Sequence, residues 1–345
     1  MQNTIVTGAT GLVGSHVLVH LVKNKCRVIA LKRENSNTKL VQQLFDWYGL
    51  SNDDYVKYID WKIADVLDID SLEELIQHDY DVYHCAAQVS FNPTQKDNLL
   101  NTNVQGTANL VNVCLLKKVR KLCYVSSVAT LSLNKGETII NENSFWKNTG
   151  NESVYAQSKY LAEMEVWRGI EEGLNAVMVN PSVIIGPHDF TKGSAKMIGT
   201  SGNGLMFYTN GISGFVDVND VAKAMIILMN NDVNSERYLL NMDNIPYKTF
   251  FEKVSEKINA KPPIIPVNSL LSGLAWRISK IKSIITNTEP LITKETSYAA
   301  MQQNFYDATK FKKQFNYNFI DLNNCLENAC NYYLKHKQND IRTIQ

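Results

Sequence analysis

A glycine-spaced turn near the start of the chain constrains the fold most strongly. The run NTIVTGATGLVGSHVLVHLV places Gly8, Gly11 and Gly14 between a short apolar stretch and a longer one. A strand that enters a helix through such a turn presents backbone N–H groups and the positive end of the helix dipole to a phosphate. Gly8 would permit the tight turn, Gly11 would let the backbone approach a pyrophosphate, and Gly14 would let the helix pack against the strand.

Short β-branched runs alternate with runs of helical spacing up to about residue 187. The six runs that we predict to be strands are NTIVTG, CRVIALKR, YIDWKIADV, DYDVYHCAA, RKLCYVSSV and LNAVMVNPSVIIG. Strands that alternate with helices form a parallel sheet covered on both faces. The pattern therefore predicts an α/β fold with a doubly wound parallel sheet of the Rossmann type, which binds its ligands at the carboxyl edge of the strands.

The pattern changes after residue 187. Residues 188–215 are rich in Gly, Ser, Thr and Asn, and two helices are predicted further on, in DVNDVAKAMIILMNN and DLNNCLENACNYYLKHK. We interpret residues 1–187 as a dinucleotide-binding Rossmann domain and residues 188–345 as a smaller, mixed α/β substrate-binding lobe. Some segments of this lobe are expected to cross back to the first domain.

The composition argues against several classes of protein. The 345 residues carry a formal net charge of +1, which gives no broad field for a polyanion and argues against nucleic acid as a partner. The six cysteines include no CxxC pair, so reduced thiols are favoured over a disulfide framework or a metal site. No leader precedes the first strand, and no apolar run reaches the ~18 to 20 residues that span a bilayer. The sequence thus predicts a cytoplasmic protein without an integral membrane segment, and a small-molecule substrate.

The residues after the second strand bear on the choice of cofactor. An acidic residue at this place accepts a hydrogen bond from the ribose 2′-OH of NAD, whereas a basic residue accommodates the 2′-phosphate of NADP. Lys32 and Arg33 stand there and favour NADP(H), while Glu34 keeps NAD(H) as the alternative. Asp65, at the end of the third strand, could accept from the adenine amino group or could serve only in a turn.

A tyrosine and a lysine are spaced for proton transfer. Tyr155 and Lys159 lie four residues apart on a predicted helix and therefore share one face. Tyrosine, with an ordinary pKa near ~10, is a poor base at neutral pH, but a nearby ammonium group lowers that pKa. The pair could exchange a proton with an alcohol or a carbonyl while a nicotinamide carries the hydride.

Other polar residues are placed near this pair. Ser126 and Ser127 end the fifth strand, and because adjacent strand residues point to opposite faces, only one of them is expected to reach a substrate. Asn103 lies inside a predicted helix, where asparagine is unfavourable. Such a residue often holds a water or a backbone carbonyl group; the alternative is an exposed side chain.

Seven runs, in this order along the chain, carry a family resemblance: TGATGLVGSH, ADV, HCAAQVSF, NVQGTANLV, YVSSVA, YAQSK and NPSVIIGP. The chain resembles an extended short-chain dehydrogenase/reductase of the NAD-dependent epimerase/dehydratase superfamily. The likeness is dense up to about residue 187, and GFVDVNDVAKAM at 214–225 extends it into the second lobe. The dihydroflavonol-reductase-like and 3β-hydroxysteroid-dehydrogenase-like branches are the ones it resembles.

The resemblance implies roles for single residues. Tyr155 would be the general acid/base, and Lys159 would bind the nicotinamide ribose and lower the pKa of Tyr155. Ser127, with Ser126 as the second choice, matches the catalytic serine, and Asn103 matches the asparagine of the NVxGT motif. The residues expected to bind the cofactor are Thr7, Gly8, Gly11, Leu12, Val13, Gly14, Lys32, Arg33, Asp65, Val66, Ala86, Ala87, Tyr155, Lys159, Pro181, Ser182 and Val183.

The chain also departs from the family pattern. Asn180 stands where the family commonly has arginine, and Val128 follows the serine where sugar-nucleotide dehydratases have an acidic residue, which argues against dehydration. For the diphosphate of a nucleotide sugar, residues 188–211 offer only Lys192 and Lys196. The same stretch has apolar residues that suggest either an apolar pocket or ordinary core: Met197, Ile198, Leu205, Met206, Phe207 and Tyr208.

These features predict an NADP-dependent oxidoreductase that transfers a hydride between a nicotinamide and a carbonyl or secondary alcohol. The alternatives are an NAD-dependent nucleotide-sugar epimerase, and a non-catalytic protein that senses the dinucleotide, whose counterparts tend to lack the tyrosine and lysine. The resemblance implies a homodimer through the helices of Asn103 and Tyr155. Residues 264–285 could form an amphipathic helix that touches a membrane, a packed lobe helix, or a lid.

Overall fold

Seven parallel strands form the central sheet of the computed structural model, which describes residues 3–91, 93–150, 152–267 and 294–342. The strands of the chain are β1 (Thr4–Thr7), β2 (Val28–Lys32), β3 (Ile59–Ile63), β4 (Asp81–His84), β5 (Lys121–Val125), β6 (Ala176–Pro181), β7 (Val183–Ile185), β8 (Phe207–Tyr208), β9 (Ile212–Asp217), β10 (Glu236–Leu240), β11 (Asp243–Pro246) and β12 (Ile265–Pro266). The α-helices are α1 (Leu12–Lys23), α2 (Lys39–Trp47), α3 (Asn52–Tyr58), α4 (Ile69–Leu75), α5 (Lys96–Leu100), α6 (Gly106–Lys117), α7 (Val154–Glu171), α8 (Lys196–Gly202), α9 (Val218–Asn230), α10 (Tyr247–Lys257), α11 (Lys294–Ala299), α12 (Thr309–Gln314) and α13 (Leu322–Arg342).

The strand order of the large sheet is β10-β6-β5-β4-β1-β2-β3, and every neighbouring pair is parallel. Five of the predicted strands, and the first part of the sixth, therefore form a Rossmann sheet, whose order reverses between β1 and β4. The predicted fold class is confirmed. The strand β10, from beyond residue 187, adds a seventh strand at the edge beside β6, with Glu236 opposite Val177.

Alternating strand residues enter two hydrophobic cores, one on each face of the sheet. On one face Val6 and Cys123 pack with α1, α2 and α9. On the other face Ile5 and Leu122 pack with α4, α6 and α7. This arrangement leaves the carboxyl ends of the strands as the open edge of the sheet.

The sixth predicted strand is divided in the structure. Up to Pro181 it pairs with β10, and after Ser182 it continues as β7, which joins a second sheet of order β11-β9-β7. The prediction of one continuous strand was wrong at this point. Proline has no N–H to donate to a ladder, and Ser182 N donates instead to Leu240 O at 3.0 Å, where β10 ends.

The smaller sheet packs with α8, α10 and α13, and β8 pairs in parallel with β12. Both helices predicted beyond residue 187 are present, as α9 and α13. The helices α2 and α3 were not predicted. For the segment 264–285 we considered an amphipathic helix that touches a membrane, a packed lobe helix or a lid. Ile265–Pro266 form β12, and the residues beyond 267 lie outside the part of the chain that the structure describes.

Candidate active site

The glycine turn fits tightly against the neighbouring strand. Gly8 has φ +62°, a left-handed conformation that favours glycine, and a Cβ at this position would lie 2.5 Å from Ala86 N. A Cβ at Gly14 would lie 2.3 Å from Gly8 O, so the first turn of α1 needs glycine for close packing. Gly11 N donates to Gly8 O at 2.9 Å, and this bond closes the turn.

The turn leaves helix α1 open at its N-terminus. Gly11 is the N-cap residue, and neither a side-chain cap nor an acidic residue satisfies the first N–H groups of the helix. Leu12 and Val13 at this end line the large cleft of the molecule. Unpaired N–H groups at a helix N-terminus bind phosphate groups. The shape and the donor set of the turn thus fit the pyrophosphate of a dinucleotide.

The cleft has a volume of about 2850 Å³ and extends from the glycine turn to the smaller lobe. Most of the predicted site residues line it. These are Thr7, Gly8, Gly11, Leu12, Val13, Lys32, Arg33, Asp65, Val66, Ala86, Ala87, Ser127, Tyr155, Lys159, Pro181, Ser182 and Val183, together with Ser126 and Glu34. Gly14 and Asn103 support the lining from behind, through the contacts given above and below.

The end of the cleft beside β2 carries charges of both signs. Lys32 is the last residue of β2, and Arg33 and Glu34 follow it as exposed residues in a turn closed by Ser36 N, which donates to Arg33 O at 2.9 Å. Asp65 Oδ1 accepts from Leu67 N at 3.0 Å, which is the turn role that we considered for it. The basic and the acidic candidates for ribose recognition therefore lie side by side.

Tyr155 lies in the first turn of α7. The helix begins there because Ser153 is its N-cap and accepts from Ala156 N at 3.0 Å. The ring of Tyr155 is half-buried and lies 5.6 Å from that of Phe91, centroid to centroid. Burial raises the pKa of Tyr155, and the neighbouring Ser127 side chain opposes this rise. Tyr155 and Ser127 are thus brought together at the cleft.

Lys159 is held from behind the cleft. Its side chain is 2% exposed, and its Nζ donates to Tyr124 Oη at 2.8 Å and to Val125 O at 2.7 Å. Burial lowers the pKa of Lys159 to about 7, and the nearby carboxylate of Glu163 opposes this shift. In the protein alone, therefore, the ammonium is directed to β5, and the pKa of Tyr155 remains above its ordinary value.

The two serines at the end of β5 have different partners. Ser126 is 3% exposed, and its hydroxyl donates to Glu163 Oε2 at 2.5 Å. Ser127 is half-buried, accepts from Ala129 N at 3.1 Å and lies beside Tyr155. Ser126 is therefore engaged in the protein interior, whereas Ser127 is the serine hydroxyl next to the tyrosine.

Glu163 is a buried carboxylate that the sequence analysis missed. Oε2 also accepts from Asn180 Nδ2 at 2.8 Å, and Oε1 accepts from Arg237 Nη1 of β10 at 3.0 Å. The family arginine expected at residue 180 is thus absent, and a guanidinium group reaches the same region from β10. Glu163 lies four residues after Lys159, just as Lys159 lies four residues after Tyr155. This spacing places all three on one helix face, so Glu163 could have been identified from the sequence.

Asn103 lies in a π-helical turn, Asn101–Gln105, between α5 and α6. It is 1% exposed; its Oδ1 accepts from Gln88 N at 2.7 Å, and its Nδ2 donates to Gln88 O at 3.0 Å and to Ser158 Oγ at 2.9 Å. The side chain therefore fixes the loop after β4 against helix α7. Of the two roles considered, it holds a backbone carbonyl group and is not exposed.

The smaller lobe contributes six aromatic residues to the wall of the cleft. The aromatic residues of the cleft in this lobe are Phe207, Tyr208, Tyr247, Phe251, Tyr298 and Tyr306. Of the apolar residues noted in the sequence, Met197 and Leu205 also line the cleft, whereas Ile198 belongs to the core and Met206 is exposed. Among the described residues of this lobe, the basic side chains of the lining are His188, Lys192 and Lys196, and Lys192 is 82% exposed and paired with Asp189.

Comparison with known proteins places this site in a wider context. The NAD dependent epimerase/dehydratase family matches residues 4–240. A putative dihydroflavonol 4-reductase of Synechocystis sp. is 26% identical over 340 residues, which cover 96% of this chain and 94% of that protein. The crystal structure of gox2253 has a TM-score of 0.78 at 27% identity and covers 97% of this chain and 99% of its own.

A third similar protein is Gre2 of Candida albicans, solved in complex with NADPH. Its TM-score is 0.73 at 22% identity, and the match covers 97% of this chain and 99% of that chain. Among the residues that the structure describes, none of the helices combines the length and the apolar character needed to cross a bilayer.

Proposed function

The chain belongs to the NAD dependent epimerase/dehydratase family of enzymes, and from this premise we propose that it is an NADP-dependent reductase of carbonyl compounds. It would transfer a hydride between the nicotinamide and a carbonyl or secondary alcohol. The observation that carries this proposal is the meeting of Tyr155 and Ser127 at the cleft, which the six aromatic residues of the smaller lobe also line. The relative named a dihydroflavonol 4-reductase, which is similar over nearly the whole chain, supports it.

The fit of the glycine turn supports a bound dinucleotide. The N–H groups at the start of α1 would hold its pyrophosphate, and Ala86, Ala87 and Pro181 would line its path along the strand ends. Once bound, the nicotinamide supplies or accepts the hydride. The preference for NADP rests on Lys32 and Arg33, which would accommodate a 2′-phosphate at the end of the cleft beside β2.

The chain's own residues would handle the proton. Tyr155 O–H would donate to the substrate oxygen in the direction of reduction, and the hydroxyl of Ser127 would hydrogen-bond the same oxygen and fix its position. Lys159 would keep a positive charge near this oxygen, where it favours the phenolate that remains after proton transfer. A raised pKa of Tyr155 before ligands bind keeps the phenol protonated and ready to act as an acid.

The character of the smaller lobe favours a reductase over a nucleotide-sugar epimerase. A diphosphate requires clustered cations or N–H groups, and the described wall of this lobe offers Lys192 and Lys196 beside six aromatic rings. The exposure of Lys192 and its pairing with Asp189 weaken it further as a diphosphate ligand. The epimerase is therefore the less favoured alternative, and the test below distinguishes it from the reductase.

Two measurements on the purified protein test the proposal. Fluorescence titration with NADPH and, separately, NADH should show tighter binding of NADPH. NADPH consumption should then be followed against ketones and aldehydes, both aromatic and aliphatic, with Tyr155→Phe as the inactive control. A preference for NADH, or NAD retained through purification, would favour the epimerase. Absence of binding to either cofactor would contradict the proposal.

We also infer a homodimer formed through α6 and α7. Each of these helices has an exposed apolar residue among the described residues, Leu116 at 62% on α6 and Leu161 at 37% on α7. Burial of such side chains between two copies would stabilise the pair. Light scattering should give twice the chain mass of 39.0 kDa; a monomer at high concentration would refute the inference.

A further inference from the structure

A line of buried hydroxyl groups begins at the Lys159 ammonium. Lys159 Nζ donates to Tyr124 Oη at 2.8 Å, and the hydroxyl of Thr107 lies near the same phenol. Thr107 Oγ1 donates its only proton to Asn103 O at 2.6 Å. Because a hydroxyl group has one proton, Thr107 can act toward Tyr124 only as an acceptor. The groups therefore lie in the order Lys159, Tyr124, Thr107 and the Asn103 carbonyl oxygen.

His84 joins this line from the neighbouring strand. Its Nε2 lies 3.0 Å from Thr107 Oγ1, which can only accept, so Nε2 carries the proton. Nδ1 then accepts from Thr7 Oγ1 at 2.7 Å, and Thr7 Oγ1 accepts from Ala86 N at 3.2 Å. Burial lowers the pKa of His84 to about 3, so the ring remains neutral. Thr107 thus accepts from His84, which in turn accepts from Thr7, the residue before the glycine turn.

Tyr124 supplies the side-chain acceptor of Lys159, and the backbone of Val125 supplies the other acceptor. Among the described residues, the ammonium has two acceptors, the Tyr124 hydroxyl and the Val125 carbonyl. The ring of Tyr124 also lies 4.4 Å from Nζ, centroid to nitrogen, and adds a cation–π contact. Tyr124 is 1% exposed, so no bulk water can replace its hydroxyl without rearrangement. An ammonium has three protons, and two are used here, which leaves one for a ligand.

We propose that Tyr124 is a positioning residue for the reaction, because its phenol accepts a hydrogen bond from the Lys159 ammonium and holds it at the floor of the cleft, with the Thr107 hydroxyl behind the phenol. This inference rests on the proposed function of Lys159 and Tyr155. It explains why a lysine at the active site stays fixed without a carboxylate contact of its own. It also explains why residue 124 is a tyrosine, since a core position between two helices does not otherwise need a hydroxyl group.

The proposal has a consequence for pH dependence. The titratable groups that face Lys159 are Glu163 and Tyr155 of its own helix, Tyr124 of β5, His84 of β4, and Cys85, which follows β4. Glu163 favours the charged ammonium, burial disfavours it, and His84 is neutral. Loss of a hydrogen bond to a charged group costs roughly one pKa unit or more. Tyr124→Phe should therefore lower the pKa of Lys159 by about one unit.

The test compares Tyr124→Phe with the wild-type protein by two readouts. The first is the pH profile of kcat/KM for carbonyl reduction, whose decline on the alkaline side should move to lower pH by about one unit. At pH 7 kcat should fall about tenfold, with the KM for NADPH little changed. The second needs no turnover: NMR of protein labelled with ¹³C at the lysine Cε follows the Lys159 titration, the signal being assigned by its loss in Lys159→Met.

Tyr83→Phe is the matched control. Tyr83 is a buried tyrosine of the neighbouring strand β4, 2% exposed and on the opposite face of the sheet from Tyr124, and its loss of a hydroxyl should leave both readouts unchanged. Thr107→Val removes the next acceptor in the line and should shift both readouts in the same direction as Tyr124→Phe. Thr107→Ser keeps the hydroxyl and should behave like the wild-type protein in both readouts. The two Thr107 variants therefore test the proposal even if Tyr124→Phe folds poorly.

The outcomes separate this proposal from the one on which it rests. If neither Tyr124→Phe nor Thr107→Val moves the Lys159 titration, the positioning role is wrong. If the wild-type protein reduces no carbonyl compound with NADPH, the proposed function fails, yet the NMR titration still decides whether Tyr124 holds Lys159. A shift caused by Tyr83→Phe as well would show a general effect of core mutation and would overturn the proposal.

Discussion

Arg237 and Glu163 are 74 residues apart in the chain, and Nη1 of the arginine lies 3.0 Å from Oε1 of a carboxylate that is fully buried. The arginine also donates to Glu142 O at 3.0 Å and to Ser144 O at 2.8 Å. These bonds join β10 to the helix of Tyr155 and to the loop before it. The geometry of the active site is thus supported by a residue of the seventh strand.

We expect Arg237→Ala to destabilise the protein by about 3 to 5 kcal/mol, because it leaves the charge of Glu163 buried and unpaired. Urea unfolding followed by circular dichroism measures the change. Arg168→Ala is the matched control, since Arg168 is on the same helix as Glu163 and pairs with Glu165 and Glu172 at the surface; it should cost at most ~1 kcal/mol. Equal losses in the two variants would contradict this account.

Substitutions of the two serines that follow β5 should affect activity and stability separately. Ser127→Ala should lower kcat by about 10² to 10³ with little loss of stability, because it removes the hydroxyl next to Tyr155. Ser126→Ala should instead lower the free energy of unfolding by about 1 to 3 kcal/mol, because Glu163 loses a buried donor. Steady-state kinetics and urea unfolding of both variants test this division. The reverse pattern would make Ser126 the catalytic serine.

Lys32→Ala and Arg33→Ala should each raise the Kd for NADPH by about 10- to 100-fold, since a charge-assisted contact with the 2′-phosphate contributes about 1.5 to 3 kcal/mol. Binding of NADH should change little, and this serves as the internal control. Glu34→Ala should not weaken NADPH binding. If Glu34→Ala weakens NADH binding strongly while the two basic variants leave NADPH unaffected, the cofactor preference is the opposite of the one proposed.

Gly8→Ala and Gly49→Ala should distinguish steric contact from backbone strain. Both glycines have positive φ, +62° and +74°, but a Cβ at Gly49 meets nothing within 4 Å, whereas one at Gly8 collides with Ala86. Gly49→Ala should therefore cost only the ~1 to 2 kcal/mol of a left-handed conformation. Gly8→Ala should cost more and abolish NADPH binding. Thermal unfolding and fluorescence titration measure the two effects; full NADPH affinity in Gly8→Ala would refute the assigned turn.

Stability should fall as the pH decreases below 6.5, in part because of His16. Burial lowers the pKa of His16 from 6.5 to about 3, so the folded protein excludes a proton that the unfolded chain binds in this range. The sign follows from linkage: the stabilisation is complete above pH 6.5 and is lost as the pH falls toward 3. His16→Gln should be less stable than wild type at pH 7, and the difference should narrow by up to roughly 1.4 kcal/mol for each pH unit below 6.5. Urea midpoints at several pH values test this; a constant difference would contradict it.

The parts of this structure that sequence could predict are those encoded locally. The turn from Gly8 to Gly14 and the pair of Tyr155 and Lys159 depend on spacings within a strand, a turn or one helix turn. Asn103 was identified because asparagine is out of place in a helix, and the structure shows it holding the Gln88 backbone. The spacing of the residues and their chemical type were sufficient to predict these elements.

The remainder depends on contacts between distant segments. Nothing near Arg237 in the sequence indicates that it pairs with Glu163, and nothing near Tyr124 indicates a lysine above its ring. Ser182 divides a continuous β-branched run because β10 ends beside it, and this pairing has no local signal. The contacts of the Lys159 ammonium with Tyr124 and Val125 were also not predictable, since the prediction considered only Tyr155 and the nicotinamide ribose as its partners.

The position of β10 in the large sheet has a consequence for the newly made chain. A nascent polypeptide that has emerged only to the end of β7 has the Rossmann strands up to β6, but β6 is then an open edge and Glu163 has no counter-ion. Open edges invite pairing with other chains, and contacts of long sequence separation slow folding. We therefore expect the ribosome to release most of the second lobe before the first can complete its sheet, so that the two lobes fold together and depend on chaperones during synthesis.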